Sequence, residues 1–275
     1  MGAVPLGTEG IAVSLPWGVA PRDVAATAVS LVGSLVVVKG FDAMAARGLV
    51  ERTLSRKLIH ITCGPCFVAT WVFFTAAPSA RLLAALVPLA QGARLLFIGS
   101  GRWRDVAAVQ AVSRGGGKEE LLQGPFFYTI VLAGLTLAFW RSTPVGLIAA
   151  AVMCGGDGMA DVVGRRLGAS NPLPAPLCRT KSWAGSAAML LGSLAVSALL
   201  IEWFAGHGCL SASDVSAGDG APGLAWGAVR GEVYAKAAVV SAVAALVECL
   251  PISDRVDDNV SVPLAATLLG WCLFA

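Results

Sequence analysis

The sequence predicts an all-α, polytopic transmembrane helical bundle, and three observations carry this prediction. Hydrophobic residues make up 56% of the 275-residue chain and charged residues only 13%, whereas an average soluble domain is about 25% charged. So few charged groups cannot cover a soluble globule of this size. The apolar residues form continuous runs of about 20 rather than the short alternating segments of a membrane barrel.

Apolar runs long enough to cross a bilayer recur along the chain. They lie at 24–38, 58–77, 82–98, 121–140, 144–156, 183–205, 233–250 and 260–275. The first, fifth and eighth are short or interrupted, so we expect about seven spans, within a range of about six to eight. The predicted organisation is an N-terminal segment at 1–23 and one integral-membrane domain at 24–275, with a loop between spans at 206–232.

The positive charges favour one face of this bundle. Sorting the 20 Lys and Arg residues by alternate loops collects most of them on a single face, as expected for a polytopic membrane protein. The net charge of +3 comes with no basic run interleaved with aromatics, so nucleic acid is not an expected partner. Arg94 and Lys236 fall within apolar runs, as substrate-path residues do, and this keeps a transporter open as an alternative.

Two aspartates follow the end of the fifth apolar run. Asp157 and Asp161 are spaced i, i+4 and would share one helix face. Like charges so close repel unless a cation lies between them, and carboxylates at membrane depth predict function by default. The alternative is that both are solvated at the interface or paired with Arg165 and Arg166.

Residues around these aspartates suit a phosphate. Gly156 and Gly158 flank Asp157 and would let backbone amides approach a ligand closely. Lys181 and Ser186 follow a Pro-rich turn and lead into the next span. Basic groups opposite carboxylates indicate an anionic phosphate and a divalent metal in one site.

A second acidic cluster precedes the last apolar run. It comprises Glu248, Asp257 and Asp258, with Asn259 beside them. Mg²⁺ prefers one or two carboxylates together with substrate phosphates, so this cluster and the first could hold a metal–nucleotide between them. Alternatively, an aspartate such as Asp258 caps the following helix.

In combination, these residues resemble the polyprenol kinase family, most closely its CTP-dependent phytol and farnesol kinase branch. Four ordered elements carry the resemblance: Arg-Lys-x-x-His at 56–60, Gly-Asp-Gly-Met-Ala-Asp with Gly-Arg-Arg-Leu-Gly at 156–168, Lys-Ser-x-x-Gly-Ser at 181–186, and Glu248 with Asp-Asp-Asn at 257–259. The central element is shared more loosely with dolichol kinases and membrane cytidylyltransferases. Between Gly168 and Lys181 the chain departs from the basic character of the family, having Asn171 and a Pro-rich run.

The resemblance implies transfer of the γ-phosphate of CTP to an isoprenoid alcohol in a plastid membrane, phytol first, with farnesol and geranylgeraniol as further candidates. It implies Mg²⁺ held by Asp157, Asp161, Asp257 and Asp258, of which the first two could also act as base. Phosphate contacts would come from Lys181, Arg165 and Arg166, with Asn259 orienting a ligand. Further candidates are Arg56, Lys57, His60 and Glu248. Alternatively, Arg56 and Lys57 are interfacial anchors, and His60 is a structural hydrogen-bonding group. A cytidylyltransferase that makes a CDP-activated lipid is the competing enzyme.

Overall fold

The computed structural model describes residues 19–113, 115–141, 143–178, 180–215, 225–254 and 256–274, and in these ranges regular structure is helical, which confirms the all-α prediction. The α-helices are α1 Pro21–Ala46, α2 Arg52–Ala69, α3 Ala80–Gly99, α4 Val106–Val112, α5 Gly124–Ala138, α6 Pro144–Ala151, α7 Asp157–Leu167, α8 Trp183–Gly206, α9 Trp226–Cys249 and α10 Asp258–Phe274. Most of the predicted segment 1–23 and the middle of the predicted loop 206–232 lie outside the described residues. Helix α9 already begins at Trp226, inside that predicted loop.

Five helical segments are long and apolar enough to cross a membrane. They are Pro21–Ala46, Ala80–Gly99, Lys118–Ala138, Pro144–Ser170 and Trp183–Gly206. Helix α10 is apolar but shorter. Helices α2 and α9 match two further predicted spans, but charged residues interrupt them and they are not among the five. By length and composition alone, the structure therefore supports five of the spans expected.

The central segment Pro144–Ser170 is the axis of the bundle. Its membrane-length window is 83% buried, against 17–39% for the other four segments. Small residues make this enclosure possible: a Cβ on Gly155 would lie 3.0 Å from the carbonyl oxygen of Gly192 on α8, and the reciprocal distance is 2.8 Å. Backbones this close leave no room for side chains. The residues of this window are thus enclosed by the neighbouring helices.

Polar side chains join neighbouring segments on the face that is poor in positive charge. The buried carboxylate of Asp23 accepts hydrogen bonds from the amide and the hydroxyl of Thr75, at 2.7 and 2.8 Å. Arg141 donates to the carbonyl of Phe74. These contacts hold the start of α1 against the segment that follows α2. The candidate site residues lie at the opposite face.

Candidate functional site

A π-helical stretch, Val152–Gly156, joins α6 to α7 and sets the direction of Asp157. The amide of Asp157 donates to the carbonyl of Val152, five residues back, so the carbonyl of Met153 loses the partner that an α-helix would supply. His60 on α2 replaces it, with Nε2 at 3.0 Å from the Met153 oxygen. Because a carbonyl can only accept, Nε2 carries the proton and donates it.

Asp157 lies at the centre of the site in an ion pair with Lys57. The lysine Nζ donates to Oδ2 at 3.1 Å, and Nε2 of His60 lies 3.5 Å from the same oxygen. Both partners are nearly buried, with side-chain exposures of 12% for Lys57 and 9% for Asp157. From the sequence, Lys57 was a further candidate or an interfacial anchor. The structure pairs it with the carboxylate of Asp157.

Lys181 is a second cationic group, and it pairs with the carboxylates of Glu248 and Asp258. Nζ of Lys181 lies 2.8 Å from Oε1 of Glu248 and 2.8 Å from Oδ2 of Asp258. Burial lowers the pKa of Lys181, but the two carboxylates more than offset this and raise the pKa above its usual value. Lys181 therefore stays protonated, and one ammonium joins α9 to the start of α10.

These two ion-pair groups converge. Oxygen atoms of Asp157, Glu248 and Asp258 lie within 4.8 Å of one another. Of the four aspartates predicted to bind metal, the structure therefore gathers Asp157 and Asp258, and it adds Glu248 to them. Three carboxylates against the ammonium groups of Lys57 and Lys181 leave excess negative charge at this point.

Two cavities meet at this cluster and share Lys57, Asp157 and Asp258. The first, of about 420 Å³, extends between α2, α3 and α5 and has an apolar far end. The second, of about 590 Å³, lies between α7, the turn after it and α8, and it is lined by small, polar and charged residues. The polar cavity contains the predicted phosphate contacts Lys181, Arg165 and Ser186.

Asp161 differs from Asp157 although it lies one helical turn further on. Its carboxylate accepts two hydrogen bonds from Arg165, at 2.9 and 3.0 Å, and it lines the polar cavity. Arg166 is exposed and donates to the carbonyl of Val162. The structure thus places Asp161 beside an arginine and not in the carboxylate cluster, and it places Arg166 outside both cavities.

The two glycines predicted to cradle a phosphate serve helix packing instead. A Cβ on Gly156 would collide with Oγ of Ser193, and one on Gly158 would collide with Ile61. Gly156 and Gly158 line neither cavity. The close approach that glycine permits here is to α8 and α2.

Asp257 belongs to the apolar cavity alone. Its Oδ1 accepts from the amide of Asn259 at 2.9 Å and from the Asn259 side chain at 2.8 Å, so Asp257 caps α10. Its Oδ2 faces Gly124, where a Cβ would lie 3.2 Å away. The predicted cap therefore exists, but at Asp257 and not at Asp258. Arg56 and Asn259 also line this cavity.

Asn171, where the chain departs from the family's basic pattern, has a structural role. Its carbonyl accepts from the amide of Trp183 at 3.0 Å, and its side-chain oxygen accepts from Ala184 at 3.1 Å. Ser182 accepts from the amide of Gly185 at 3.1 Å. The first amides of α8 are thereby already bonded, so the start of this helix offers no free amides of Trp183, Ala184 or Gly185 to a phosphate.

Apart from Arg94, the residues that α3 and α5 contribute to the apolar cavity were not predicted from the sequence. Gln91, Gly124, Tyr128 and Thr129 all line it. Tyr128 donates to the carbonyl of His60 at 3.1 Å, and its ring packs 4.3 Å from the imidazole. Polar side chains inside apolar spans were the available signal, and Tyr128 is one of only two tyrosines in the chain. No signal distinguished Gly124.

The two charged residues that kept a transporter open are paired. Arg94 lies 2.9 Å from Asp105, and the pKa of Asp105 is lowered by the amide of Ala108 and by this arginine. Lys236 lies 2.7 Å from Glu232 and over the ring of Phe274. Local ion pairs thus account for both residues.

Comparison with known proteins gives close relatives of one kind. The chain is 42% identical to a probable chloroplastic phytol kinase of Triticum aestivum, over 92% of this chain and 78% of the relative. It is 41% identical to probable phytol kinase 1 of Oryza sativa subsp. japonica, over 92% and 74%, and 38% identical to phytol kinase 1 of Arabidopsis thaliana, over 92% and 77%. No protein-family model matches the chain. No solved structure matches it either.

Proposed function

The chain belongs to the phytol kinase family, and we propose that it transfers the γ-phosphate of CTP to the hydroxyl of phytol, releasing CDP and phytyl monophosphate. One observation carries the proposal: a polar cavity and a largely apolar cavity meet at Lys57, Asp157 and Asp258. Phosphoryl transfer needs a donor and an acceptor held in line on either side of the transferred group. The two cavities offer that arrangement.

The polar cavity suits the nucleotide. Lys181 and Arg165 supply positive charge, and Ser186 supplies a hydroxyl, all lining one space of about 590 Å³. Lys57 lies on the boundary between the two cavities. We assign Lys57 to the phosphoryl group in transit and Lys181 to the phosphates that stay with the donor.

A divalent cation fits the carboxylate cluster. The oxygens of Asp157, Glu248 and Asp258 are close enough to share one ion, and Oδ1 of Asp258 is buried without a hydrogen-bond partner among the described residues. Carboxylate oxygens are the ligands that Mg²⁺ prefers, together with substrate phosphates. When bound, Mg²⁺ would neutralise charge on the phosphate oxygens. We assign these three residues to it, in place of the four predicted aspartates.

The apolar cavity suits the alcohol, with its hydroxyl at the charged end. Two carboxylates, Asp257 and Glu120, line this cavity and not the polar one. Glu120 accepts from the amides of Gly115 and Gly117, so we assign Asp257 as the base, with its Oδ2 pointing away from the bond to Asn259. Oδ2 takes the hydroxyl proton as the alcohol oxygen bonds to the γ-phosphorus. The bond from that phosphorus to the bridging oxygen then breaks, and CDP leaves. His60 is a positioning residue, since its Nε2 donates to Met153.

The relatives are named chloroplastic, and we propose a plastid membrane as the location. Five membrane-length apolar helices agree with an integral membrane protein. The tail of the alcohol would stay in apolar surroundings throughout, because its cavity lies between such helices.

Product analysis tests the proposal. Purified protein in detergent is incubated with Mg²⁺, phytol and CTP labelled at the γ-phosphate, and the products are separated by thin-layer chromatography. We expect label in phytyl monophosphate with matching CDP. A cytidylyltransferase would release pyrophosphate and form a CDP-lipid, and a transporter would release neither product. Offering ATP, GTP and UTP in parallel tests the choice of donor, and absence of phytyl monophosphate with every donor would overturn the proposal.

A further inference from the structure

The apolar cavity is a shaft that descends from the charged face into the bundle. Along α2 its lining runs from Lys57 through His60 to Phe67, and along α5 from Gly124 to Leu132. Contacts between the helices fix these levels: Tyr128 donates to the carbonyl of His60 halfway down. Charged groups therefore line the top of the shaft and apolar groups its lower end.

Three buried side chains from three helices close the shaft below. Phe67 of α2, Val87 of α3 and Leu132 of α5 are each at most 4% exposed, and all three belong to the main hydrophobic core. Behind Phe67 lies Trp71, fully buried, with its ring edge-on at 6.1 Å. Trp71 in turn packs 5.3 Å from Trp140. The floor is thus backed by rigid aromatic packing and cannot easily yield.

The depth of the shaft is close to the length of an isoprenoid tail. Lys57 and Phe67 are ten residues apart on α2, which is about 15 Å at ~1.5 Å per residue. A chain that spans ~3.3–3.6 Å in three bonds advances about 1.2 Å per bond, so extended phytol is roughly 18 Å long and farnesol, one isoprene unit shorter, roughly 14 Å. By these lengths, farnesol would reach the floor with its last carbons, and the last isoprene unit of phytol would press against the floor.

We propose that Phe67, Val87 and Leu132 determine which chain length of isoprenoid alcohol the enzyme accepts. This inference rests on the proposed kinase activity, because it concerns the acceptor of that reaction. The floor touches the end of a long tail but not the hydroxyl. Changes there should alter discrimination between alcohols without altering the dependence on CTP or Mg²⁺.

Two substitutions move the floor in opposite directions. Val87→Phe fills the lower shaft and should lower kcat/KM for phytol relative to farnesol by at least about tenfold, since one methylene in an apolar pocket discriminates by ~10–200-fold. Leu132→Ala deepens the shaft and should raise the same ratio. Both alcohols compete in one tube, so the product ratio does not depend on how much of each variant is folded.

Matched controls lie on the outer surface of the same helices. Leu86 on α3 is 49% exposed and Ile130 on α5 is 42% exposed, so Leu86→Phe and Ile130→Ala make similar changes in side-chain size away from the shaft. We expect both to keep the parent's phytol to farnesol ratio. Where a floor variant yields no active protein, Val87→Leu and Leu132→Val replace it with smaller shifts in the same directions.

The outcomes separate the two proposals. A parent enzyme that phosphorylates no isoprenoid alcohol overturns the proposed function. A parent that phosphorylates phytol, with floor variants whose ratios match those of the surface controls, overturns the role of the floor alone. Opposite shifts in Val87→Phe and Leu132→Ala support it.

Discussion

Neutralising Asp157 and neutralising Asp161 should have very different effects, although the sequence treats the two aspartates alike. Asp157 lies in the carboxylate cluster and pairs with Lys57. Asp161 is bound in two places by Arg165, whose side chain is 50% exposed. Replacement by asparagine removes the charge of either residue with almost no change in volume.

The structure gives the expected sizes. At the 3.1 Å separation of Lys57 and Asp157, the direct attraction is about 5 kcal/mol with an effective dielectric constant of ~20, and desolvation offsets part of it. Losing one such electrostatic group in an active site typically costs about 2.7–4 kcal/mol, or 10²–10³ in kcat. An i, i+4 helix pair with a half-exposed partner, such as Asp161 with Arg165, is worth only ~0.3–0.5 kcal/mol. We therefore expect at least about a hundredfold loss for Asp157→Asn and about a twofold change for Asp161→Asn.

Initial rates of CDP release at saturating CTP and phytol measure both variants, and thermal unfolding in the same detergent checks that they fold. Asp157→Asn retaining more than about a tenth of the parent's kcat would contradict the assignment of Asp157 to the reaction centre. Equal losses in the two variants would show that the aspartates act together, as the sequence spacing alone suggested.

Substitutions at four further positions probe the other assignments. Lys181→Ala should raise the KM for CTP and lower kcat, because a phosphate contact used in both ground and transition states is lost; an unchanged KM for CTP would limit Lys181 to joining helices. Asp258→Asn should raise the Mg²⁺ concentration that gives half the maximal rate. Asp257→Asn keeps the helix cap, because asparagine caps equally well, and it should lower kcat without changing that Mg²⁺ concentration. The reverse pattern in a magnesium titration would exchange the roles of the two aspartates. His60→Gln, which keeps a donor for Met153, should retain activity that His60→Leu loses by about tenfold, and a pH–rate profile of His60→Gln that lacks the parent's acidic limb would identify His60 as the base instead.

The helices could be predicted because membrane burial leaves a strong signal in composition. Long apolar runs identified the central segment and α8 directly. The signal fails where a helix carries charge for the site: α2 bears Arg56 and Lys57, and α9 bears Glu248. Arg56, Lys57 and Glu248 line the cavities, so mean hydropathy understates how deeply these parts of α2 and α9 are packed. The number of spans is hardest to predict for the helices that matter most to chemistry.

The members of the site could be predicted more readily than their partners. Costly polar residues in apolar surroundings drew attention to Asp157, Lys181 and Asp258, and all three meet at the junction of the cavities. Which cation faces which carboxylate depends on contacts between residues about 70 to 100 positions apart, such as Lys181 with Glu248 and Lys57 with Asp157. Helical spacing carries no information on such distant contacts.

The position of Asp157 follows from one local departure from helical regularity. The sequence Val-Met-Cys-Gly-Gly at 152–156 contains nothing that excludes an α-helix, and the π-helical turn exists because two partners outside the segment favour it. His60 satisfies the freed carbonyl of Met153, and the missing side chain of Gly156 lets α8 approach. An extra residue in that turn changes which face of the following helix meets α2, so that Asp157 reaches Lys57. Asp161 lies one helical turn further along the same face and pairs with Arg165. The bond from His60 therefore supports the position of Asp157 and not the chemistry itself, so the loss in His60→Leu should be smaller when Asp157 is already asparagine.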